Sequence, residues 1–235
     1  ANSSKNFGVW SRFSYALNAE SEYICVLDDD TIPGKKFFEN CISTMKISPG
    51  LLGARGLRFF SKNRYQPNKS FGWDNPNEEL KVVDIVGHAW FFRREWLCYF
   101  WREFPLYKSS RFVGEDIHFS YTLKKYAGIQ TIVPPHPMQN KDYWGSDPVY
   151  ALRLGTGIES ISKADTALDN FDKVLSIYTS AGFKLYKEEK NQKHLVIGPG
   201  ISRFTFLQKI ATKFPFIKKY GKSLKTFLAA RNIHI

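Results

Sequence analysis

YICVLDDDTIPG, residues Tyr23 to Gly34, joins five mostly apolar residues to three consecutive aspartates and a Pro-Gly turn. The apolar run is typical of a buried β-strand, and Pro33 is typical of the first turn of a following helix. Carboxylates this close repel one another, so Asp28, Asp29 and Asp30 need a compensating partner. The stretch therefore predicts a strand that ends in a cation-dependent acidic site.

The aspartates themselves favour a hard divalent cation. Mg²⁺ and Mn²⁺ take oxygen ligands and commonly bind through one or two carboxylates together with substrate phosphates. Successive side chains of a strand point to opposite faces, so Asp28 and Asp30 share one side and Asp29 points to the other. We therefore expect an Asp-x-Asp metal site that also binds a diphosphate.

Three other interpretations fit part of the same stretch. An EF-hand loop beginning at Asp28 is excluded, because Ile32 and Pro33 occupy the positions that need an oxygen ligand and a glycine. A phosphohydrolase of the haloacid-dehalogenase type also begins with an apolar strand and Asp-x-Asp, and it would form an aspartyl-phosphate at Asp28. An acidic surface turn that caps the next helix explains one aspartate more easily than three.

Predicted strands and helices alternate along the chain, which is typical of an α/β layered domain with a mostly parallel sheet. A polar segment rich in Asn, Pro and Gly, residues 61–80, is predicted to be a long loop. The apolar run VVDIVGHAWFF, residues 82–92, has the character of a strand.

A second acidic motif lies at the start of the stretch GEDIHFSYTLKKYAG, residues 114–128. Glu115 and Asp116 lie in the first turn of a predicted helix, where carboxylates stabilise the helix dipole. Capping alone explains this position. Taken together with the three aspartates, however, the motif predicts a second acidic part of one site.

These two motifs, in this order and context, resemble the family 2-like, GT-A-fold glycosyltransferases. The resemblance covers residues 5–155 and includes KNFGVWSRFSYALNAE before the acidic strand and VGHAWFFRREWL between the motifs. It implies an α/β, nucleotide-diphospho-sugar transferase-like fold with a mostly parallel central sheet and helices on both faces. The family's nucleotide-binding βα units precede this part, so we expect a catalytic domain that is incomplete at its N-terminus.

The resemblance also implies roles for the acidic residues. Asp30 and Asp28 would hold Mn²⁺ or Mg²⁺, which bridges the diphosphate of a nucleotide sugar, and Asp28 and Asp29 would contact the donor. Asp116 would be the general base that deprotonates the acceptor hydroxyl, with Glu115 beside it binding acceptor or donor sugar. The reaction would be a single displacement with inversion at the anomeric carbon.

Other residues receive weaker assignments. Some family members add a histidine as a metal ligand, and His136 matches it. Trp144 lies in a stretch that resembles a mobile lid and would contact the donor, and Arg12 would reach the nucleotide. We expect His88 and His118 to be structural, because one lies in a predicted strand and the other on a different helix face from Asp116.

The predicted function is transfer of a sugar to a glycan or a lipid-linked acceptor in polysaccharide or glycoconjugate synthesis. A non-catalytic glycan-binding relative is the other alternative besides the phosphohydrolase. No nucleic-acid partner is expected.

The C-terminal part differs in composition from the rest. Residues 183–235 contain 12 Lys or Arg and two Glu, a net charge of +10, so we predict a catalytic domain over residues 1–182 and a basic extension. Residues 201–235 mix six aromatic and eight basic residues with no acid, which predicts binding to an anionic membrane surface.

No segment is expected to span a membrane. The three cysteines are interpreted as buried thiols, which favours a reducing, cytoplasmic compartment. The basic segment 201–235 adds the expectation of a peripheral position at the cytoplasmic face of the membrane.

Overall fold

The computed structural model describes residue 4 and residues 7–107, 113–154 and 167–188. The chain divides into two compact units, Ala1–Glu189 and Lys190–Ile235, and all the described residues belong to the first. Phe183 and Leu185 are buried in this unit, so it extends past the boundary predicted at residue 182. The predicted membrane-binding segment, residues 201–235, lies outside the described residues.

Strands of the described residues form two sheets. The strands are β1 Tyr23–Leu27, β2 Gly50–Leu52, β3 Arg55–Phe59, β4 Pro67–Gly72, β5 Lys81–Val83, β6 Ile85–Gly87, β7 Ala89–Arg93 and β8 Gln130–Val133. The larger sheet has the order β1-β7-β2-β8-β5 and the smaller sheet the order β4-β3-β6. The predicted loop over residues 61–80 therefore contains a strand, β4, which pairs with β3.

The larger sheet is mixed, so the prediction of a mostly parallel sheet is wrong for the described strands. β2 and β8 are parallel, but β7 lies between β1 and β2 and is antiparallel to both. β5 is antiparallel to β8. The difference arises because residues 82–92 form three short strands that change sheets, rather than one strand.

Two polar residues interrupt that apolar run. Asp84 is buried between β5 and β6, where its carboxylate accepts backbone hydrogen bonds from Phe59 (2.7 Å) and Tyr186 (2.5 Å). His88 separates β6 from β7 and has a φ angle of +63°. A strand residue does not adopt this left-handed conformation, so the chain leaves the smaller sheet at His88 and returns to the larger one.

Helices complete an α/β domain, as predicted. Their bounds are α1 Ser11–Tyr15, α2 Phe37–Ile47, α3 Leu97–Phe100, α4 Glu115–Ala127, α5 Pro148–Leu154 and α6 Ala167–Ser180. α4 joins two apolar clusters, because Phe119 packs with the larger sheet and Ile117 packs with β3, β6 and α6. The start of α4, where the second acidic motif lies, is therefore fixed from two sides.

Aromatic packing fixes α1 beside the same helix. Phe13 is fully buried and stacks on Phe100 with ring centroids 4.6 Å apart, and it meets Phe119 of α4 edge-on at 5.6 Å. Such aromatic pairs contribute about 1 kcal/mol each beyond the area that they bury. Arg12, the neighbour of Phe13, is thereby held close to both α4 and β1.

Two sequence expectations concern the surface. Among the described residues, no helix combines the length and the apolar character needed to cross a membrane. Cys41 is buried and Cys25 is partly buried, but Cys98 is exposed, so the expectation of three buried thiols is wrong for Cys98. α3 is one turn long and buries Leu97 and Phe100, which leaves Cys98 on its outer side.

Candidate functional site

The acidic turn after β1 is the first part of the candidate site. The backbone N–H of Asp28 donates to the carbonyl oxygen of His88 (2.9 Å), which ties the end of β1 to the start of β7. Asp28 and Asp30 are half-buried, whereas Asp29 is exposed. Asp28 and Asp30 approach one another and Asp29 is exposed, as predicted, but the reason is different. The aspartates follow β1 in a turn, in which the N–H of Thr31 donates to the carbonyl oxygen of Asp28 (3.1 Å), so they do not continue the strand.

Asp28, Asp30 and His88 form a possible metal site. One ligand atom from each residue lies within 4.8 Å of the others. Nδ1 of His88 is 3.8 Å from Oδ1 of Asp30, too far for a hydrogen bond, and within the described residues neither of these buried atoms has a hydrogen-bond partner. Two ligands of one Mn²⁺ or Mg²⁺ ion lie about 3 to 4 Å apart, so the spacing fits a shared cation.

The charge state of Asp30 also fits a cation site. Interaction with the nearby His88 imidazole lowers the pKa of the Asp30 carboxyl and outweighs burial, although the separation of 3.8 Å is longer than a hydrogen bond. Asp30 is therefore ionised at neutral pH and available as an oxygen ligand. Imidazole binds Mn²⁺ more readily than Mg²⁺. A site with two carboxylates and one histidine therefore favours Mn²⁺ over Mg²⁺.

The backbone at His88 is strained. Its φ angle of +63° is the only positive φ angle among the non-glycine residues that the structure describes. This conformation costs an L-residue about 1 to 2 kcal/mol, and such strain persists only where the surroundings impose it. Trp73 packs edge-on against the imidazole, with ring centroids 5.3 Å apart. The ring is thus held beside Asp30 at an energetic cost.

Arg12 joins the two acidic motifs. Its Nη1 pairs with Oδ1 of Asp28, and its Nη2 lies 2.5 Å from Oε1 of Glu115. The guanidinium carbon lies 4.3 Å from the ring centroid of Trp90. Burial alone would lower the pKa of Arg12, but Glu115 and Asp28 outweigh it and raise the pKa. Arg12 is therefore a permanent cation that compensates part of the acidic charge.

Glu115 and Asp116 form the second part of the site, at the first turn of α4. Burial, and then the negative charge of the neighbouring Asp116, raise the pKa of Glu115 to about 8, although Arg12 opposes them. Burial likewise raises the pKa of Asp116 to about 6, although the backbone N–H of Ile117 donates to its Oδ1 (2.7 Å). A carboxylate with a pKa near neutrality is suited to general acid–base catalysis.

His136 lies in surroundings that do not suit a metal ligand. Its ring is fully buried, Nδ1 is 2.8 Å from the carbonyl oxygen of Pro134, and Nε2 accepts a hydrogen bond from the N–H of Gly145 (2.8 Å). Burial lowers the pKa of His136 to about 4. Both ring nitrogens are thus occupied by the backbone. The structure does not group His136 with Asp28 and Asp30, contrary to the expectation from the resemblance.

Trp144 also differs from its expected role. It is 5% exposed, packs in the larger apolar cluster and donates from Nε1 to the carbonyl oxygen of Pro137 (2.7 Å). A donor-binding tryptophan needs an open face, and this ring is buried. His118 is buried as expected, with its nitrogens near the Tyr178 hydroxyl and the Phe100 carbonyl oxygen.

Sequence reasoning missed two residues of the site. The apolar run predicts that His88 lies within a strand, although the Gly87-His88 pair interrupts the run and so signals a break. Tyr65 lies in the predicted loop, and its hydroxyl is 3.4 Å from Oδ2 of Asp116. No local pattern distinguishes Tyr65, because its contact with Asp116 spans 51 positions of sequence.

Comparisons with known proteins add no family assignment. None of the family models searched matches the chain, and none of the curated proteins searched matches it.

Proposed function

We propose that this chain is a metal-dependent glycosyltransferase of the GT-A type. It would transfer a sugar from a nucleotide-sugar donor to a hydroxyl of a glycan or lipid-linked acceptor, with inversion. One observation supports the proposal: Arg12 contacts both Asp28 and Glu115, so two acidic motifs whose contacted residues are 87 positions apart lie side by side.

The first motif supplies the donor side. Asp28, Asp30 and His88 would hold Mn²⁺, which supplies positive charge to offset the charge that develops on the leaving diphosphate. The pair between Asp28 and Arg12 uses one carboxylate oxygen and leaves the other for a metal. Arg12 and the exposed Asp29 would contact the donor, the first through phosphate and the second through ribose or sugar.

The second motif supplies the acceptor side. Asp116 would accept the proton of the acceptor hydroxyl as that oxygen attacks the anomeric carbon. Its Oδ1 is already engaged by the N–H of Ile117, so Oδ2 is the oxygen that would receive the proton. Glu115 is paired with Arg12 and would orient the acceptor or donor sugar beside the base.

A hydrolysis assay with a panel of nucleotide sugars tests the proposal. Wild-type chain should release nucleoside diphosphate only with Mn²⁺, and Asp30→Ala and Asp116→Ala should each lower the rate by about 100-fold or more. Asp169→Ala, which removes an exposed carboxylate on α6, is the matched control and should equal the wild type. Equal rates in all four proteins would contradict the proposed roles.

Two other outcomes would identify the alternative functions. Release of inorganic phosphate from simple phosphate esters, lost in Asp28→Asn, would favour a phosphohydrolase. Sugar binding without turnover would favour a glycan-binding relative.

We also propose that residues 201–235 bind anionic membranes, because their basic and aromatic composition favours an interfacial segment. Deleting them should abolish co-sedimentation with vesicles that contain anionic lipid. Unchanged co-sedimentation would contradict this part of the proposal.

A further inference from the structure

Tyr65 is held beside Asp116 by α6, a helix that contains none of the predicted site residues. Its backbone N–H donates to Oδ1 of Asp172, and its ring stacks on Phe171 with centroids 4.8 Å apart and an angle of 26°. The ring also contacts Phe59 of β3, again with centroids 4.8 Å apart. The side chain therefore has little freedom to rotate away.

The loop that carries Tyr65 is attached to the same part of the chain at a second point. The hydroxyl oxygen of Thr179 in α6 lies 2.8 Å from the carbonyl oxygen of Lys62, and Nζ of Lys62 lies 2.5 Å from Oε1 of Glu188. The single hydroxyl proton of Thr179 is shared between Lys62 and the α6 carbonyl oxygens of Leu175 (2.8 Å) and Ser176 (3.0 Å), so the contacts of Tyr65 are the main attachment of this segment to α6. A loop with such attachments holds a side chain far more precisely than a free loop.

The contact with Asp116 is specific to one carboxylate oxygen. Oδ1 of Asp116 accepts the hydrogen bond from Ile117, and Oδ2 faces the hydroxyl of Tyr65 at 3.4 Å. Burial, and then the negative charge of Asp116, raise the pKa of Tyr65 well above its usual value, so the phenol keeps its proton and is a donor. This donor is aimed at the oxygen that the acceptor hydroxyl must reach.

We infer that Tyr65 is a positioning residue for the general base, held in place by Asp172 and Phe171 of α6. Its hydroxyl orients Oδ2 of Asp116 and stabilises the carboxylate until the acceptor hydroxyl takes its place. This inference rests on the proposed function, since it assigns a partner to the proposed base. It also gives α6 a role in catalysis, because α6 fixes the distance between Tyr65 and Asp116.

Several charged and titratable groups face Asp116 besides Tyr65. Arg12 from α1 lowers the pKa of Asp116, Glu115 lies next to it on α4, and Tyr178 approaches from α6. The hydrogen bond from Tyr65 lowers the pKa of Asp116, against the larger, opposite effect of burial. Loss of the hydroxyl alone should therefore raise the pKa of Asp116.

Tyr65→Phe tests the inference, because it removes the hydroxyl and keeps the stacked ring. We expect the acid limb of the profile of kcat/KM against pH to move to higher pH. At neutral pH, kcat/KM should fall, because the higher pKa leaves a larger fraction of Asp116 protonated and unable to act as a base. Tyr121→Phe is the matched control, because Tyr121 lies in the same apolar cluster and its hydroxyl is bonded to Lys125 and Ala181 instead.

A second measurement does not depend on turnover. Carbon NMR of the full chain with labelled aspartate carboxyls reports the titration midpoint of Asp116, assigned by its loss in Asp116→Asn. The midpoint should rise in Tyr65→Phe and stay unchanged in Tyr121→Phe. Absence of transferase activity in the wild type would count against the proposed function only, whereas equal midpoints in the two variants would overturn the inference.

Asp172 provides a test of the part played by α6. Asp172→Ala removes the acceptor for the Tyr65 N–H, so the Asp116 midpoint should rise, by less than in Tyr65→Phe. Asp172→Asn keeps an acceptor oxygen and should restore the wild-type midpoint. If Asp172→Ala matches the wild type, α6 does not hold Tyr65 in the way that we infer.

Discussion

His88 and His136 both follow strands of this domain, yet their surroundings are opposite. His136 has no exposed surface, and both of its ring nitrogens are bonded to the backbone. His88 has a strained backbone, and its Nδ1 is buried beside Asp30 without a hydrogen-bond partner among the described residues. A buried polar atom without a partner is costly, and a strained residue adds to that cost.

The difference shows which property separates a structural histidine from a candidate ligand. A position soon after a strand is common to both residues, so position alone assigns neither. Hydrogen bonding of the ring nitrogens does distinguish the two histidines, because a nitrogen already bonded to a backbone group is not available to a metal. We therefore assign a stabilising role to His136 and propose that His88 binds a cation.

The largest expected effect is on stability, at His136. His136→Ala removes two buried hydrogen bonds and leaves the carbonyl of Pro134 and the N–H of Gly145 without them, so the free energy of unfolding should fall by about 4 kcal/mol. Urea denaturation measures this change. His88→Ala is the matched comparison and should change the free energy of unfolding by less than 1 kcal/mol, about the limit for a half-buried residue. The reverse order of effects would contradict the assignment.

A pH dependence should follow from the same residue. Burial holds the pKa of His136 at about 4, below the value of about 6.5 in the unfolded chain. The unfolded chain binds the proton more tightly, so the stabilisation is complete above about pH 6.5 and is lost as pH falls toward about 4. Wild-type chain should lose about 3 kcal/mol more than His136→Ala over this window. The buried His118, whose pKa burial also lowers, contributes in the same direction to both proteins. Parallel curves for the two proteins would refute a neutral, buried His136.

Metal affinity should respond to the other histidine. His88→Ala removes one of three proposed ligands, so the dissociation constant for Mn²⁺ should rise by about 30-fold, an intermediate value for a weakened metal site. Titration calorimetry with Mn²⁺ alone measures it. Asp169→Ala serves again as the control and should bind Mn²⁺ like the wild type. Unchanged affinity in His88→Ala would exclude His88 as a ligand.

The smallest expected effect is a gain in stability. His88→Gly relieves the left-handed conformation at φ +63°, so the free energy of unfolding should rise by about 1 kcal/mol while Mn²⁺ affinity falls. Thermal unfolding with and without Mn²⁺ separates the two changes. A loss of stability without metal would mean that the His88 side chain is needed for packing rather than for cation binding.

Local patterns predicted the local parts of the site. The apolar residues of β1 and the alternation of Asp28, Asp29 and Asp30 depend on neighbours along the chain, and the structure has both. The acidic first turn of α4 and the glycine at Gly128 that ends it are equally local. Each of these features needs only a strand, the turn that follows it or the ends of a helix.

Contacts between distant segments were not predictable in the same way. Arg12 and Glu115 are 103 positions apart, and their pairing depends on the packing of Phe13 against α4. The insertion of β7 between β1 and β2 depends on how the chain turns at Asp84 and His88, which look like polar residues within one apolar run. Sequence periodicity predicts where strands lie along the chain but not which strands pair with one another. The mixed sheet and the position of His88 therefore follow only from the three-dimensional structure.

The most direct test of the proposed metal site is the electron spin-echo envelope modulation of Mn²⁺ bound to the full chain. If Asp28, Asp30 and His88 hold the ion, the wild type will show modulation from a directly bound imidazole nitrogen, and His88→Ala will not. Modulation that is absent from the wild type, or that persists in His88→Ala, would contradict this site.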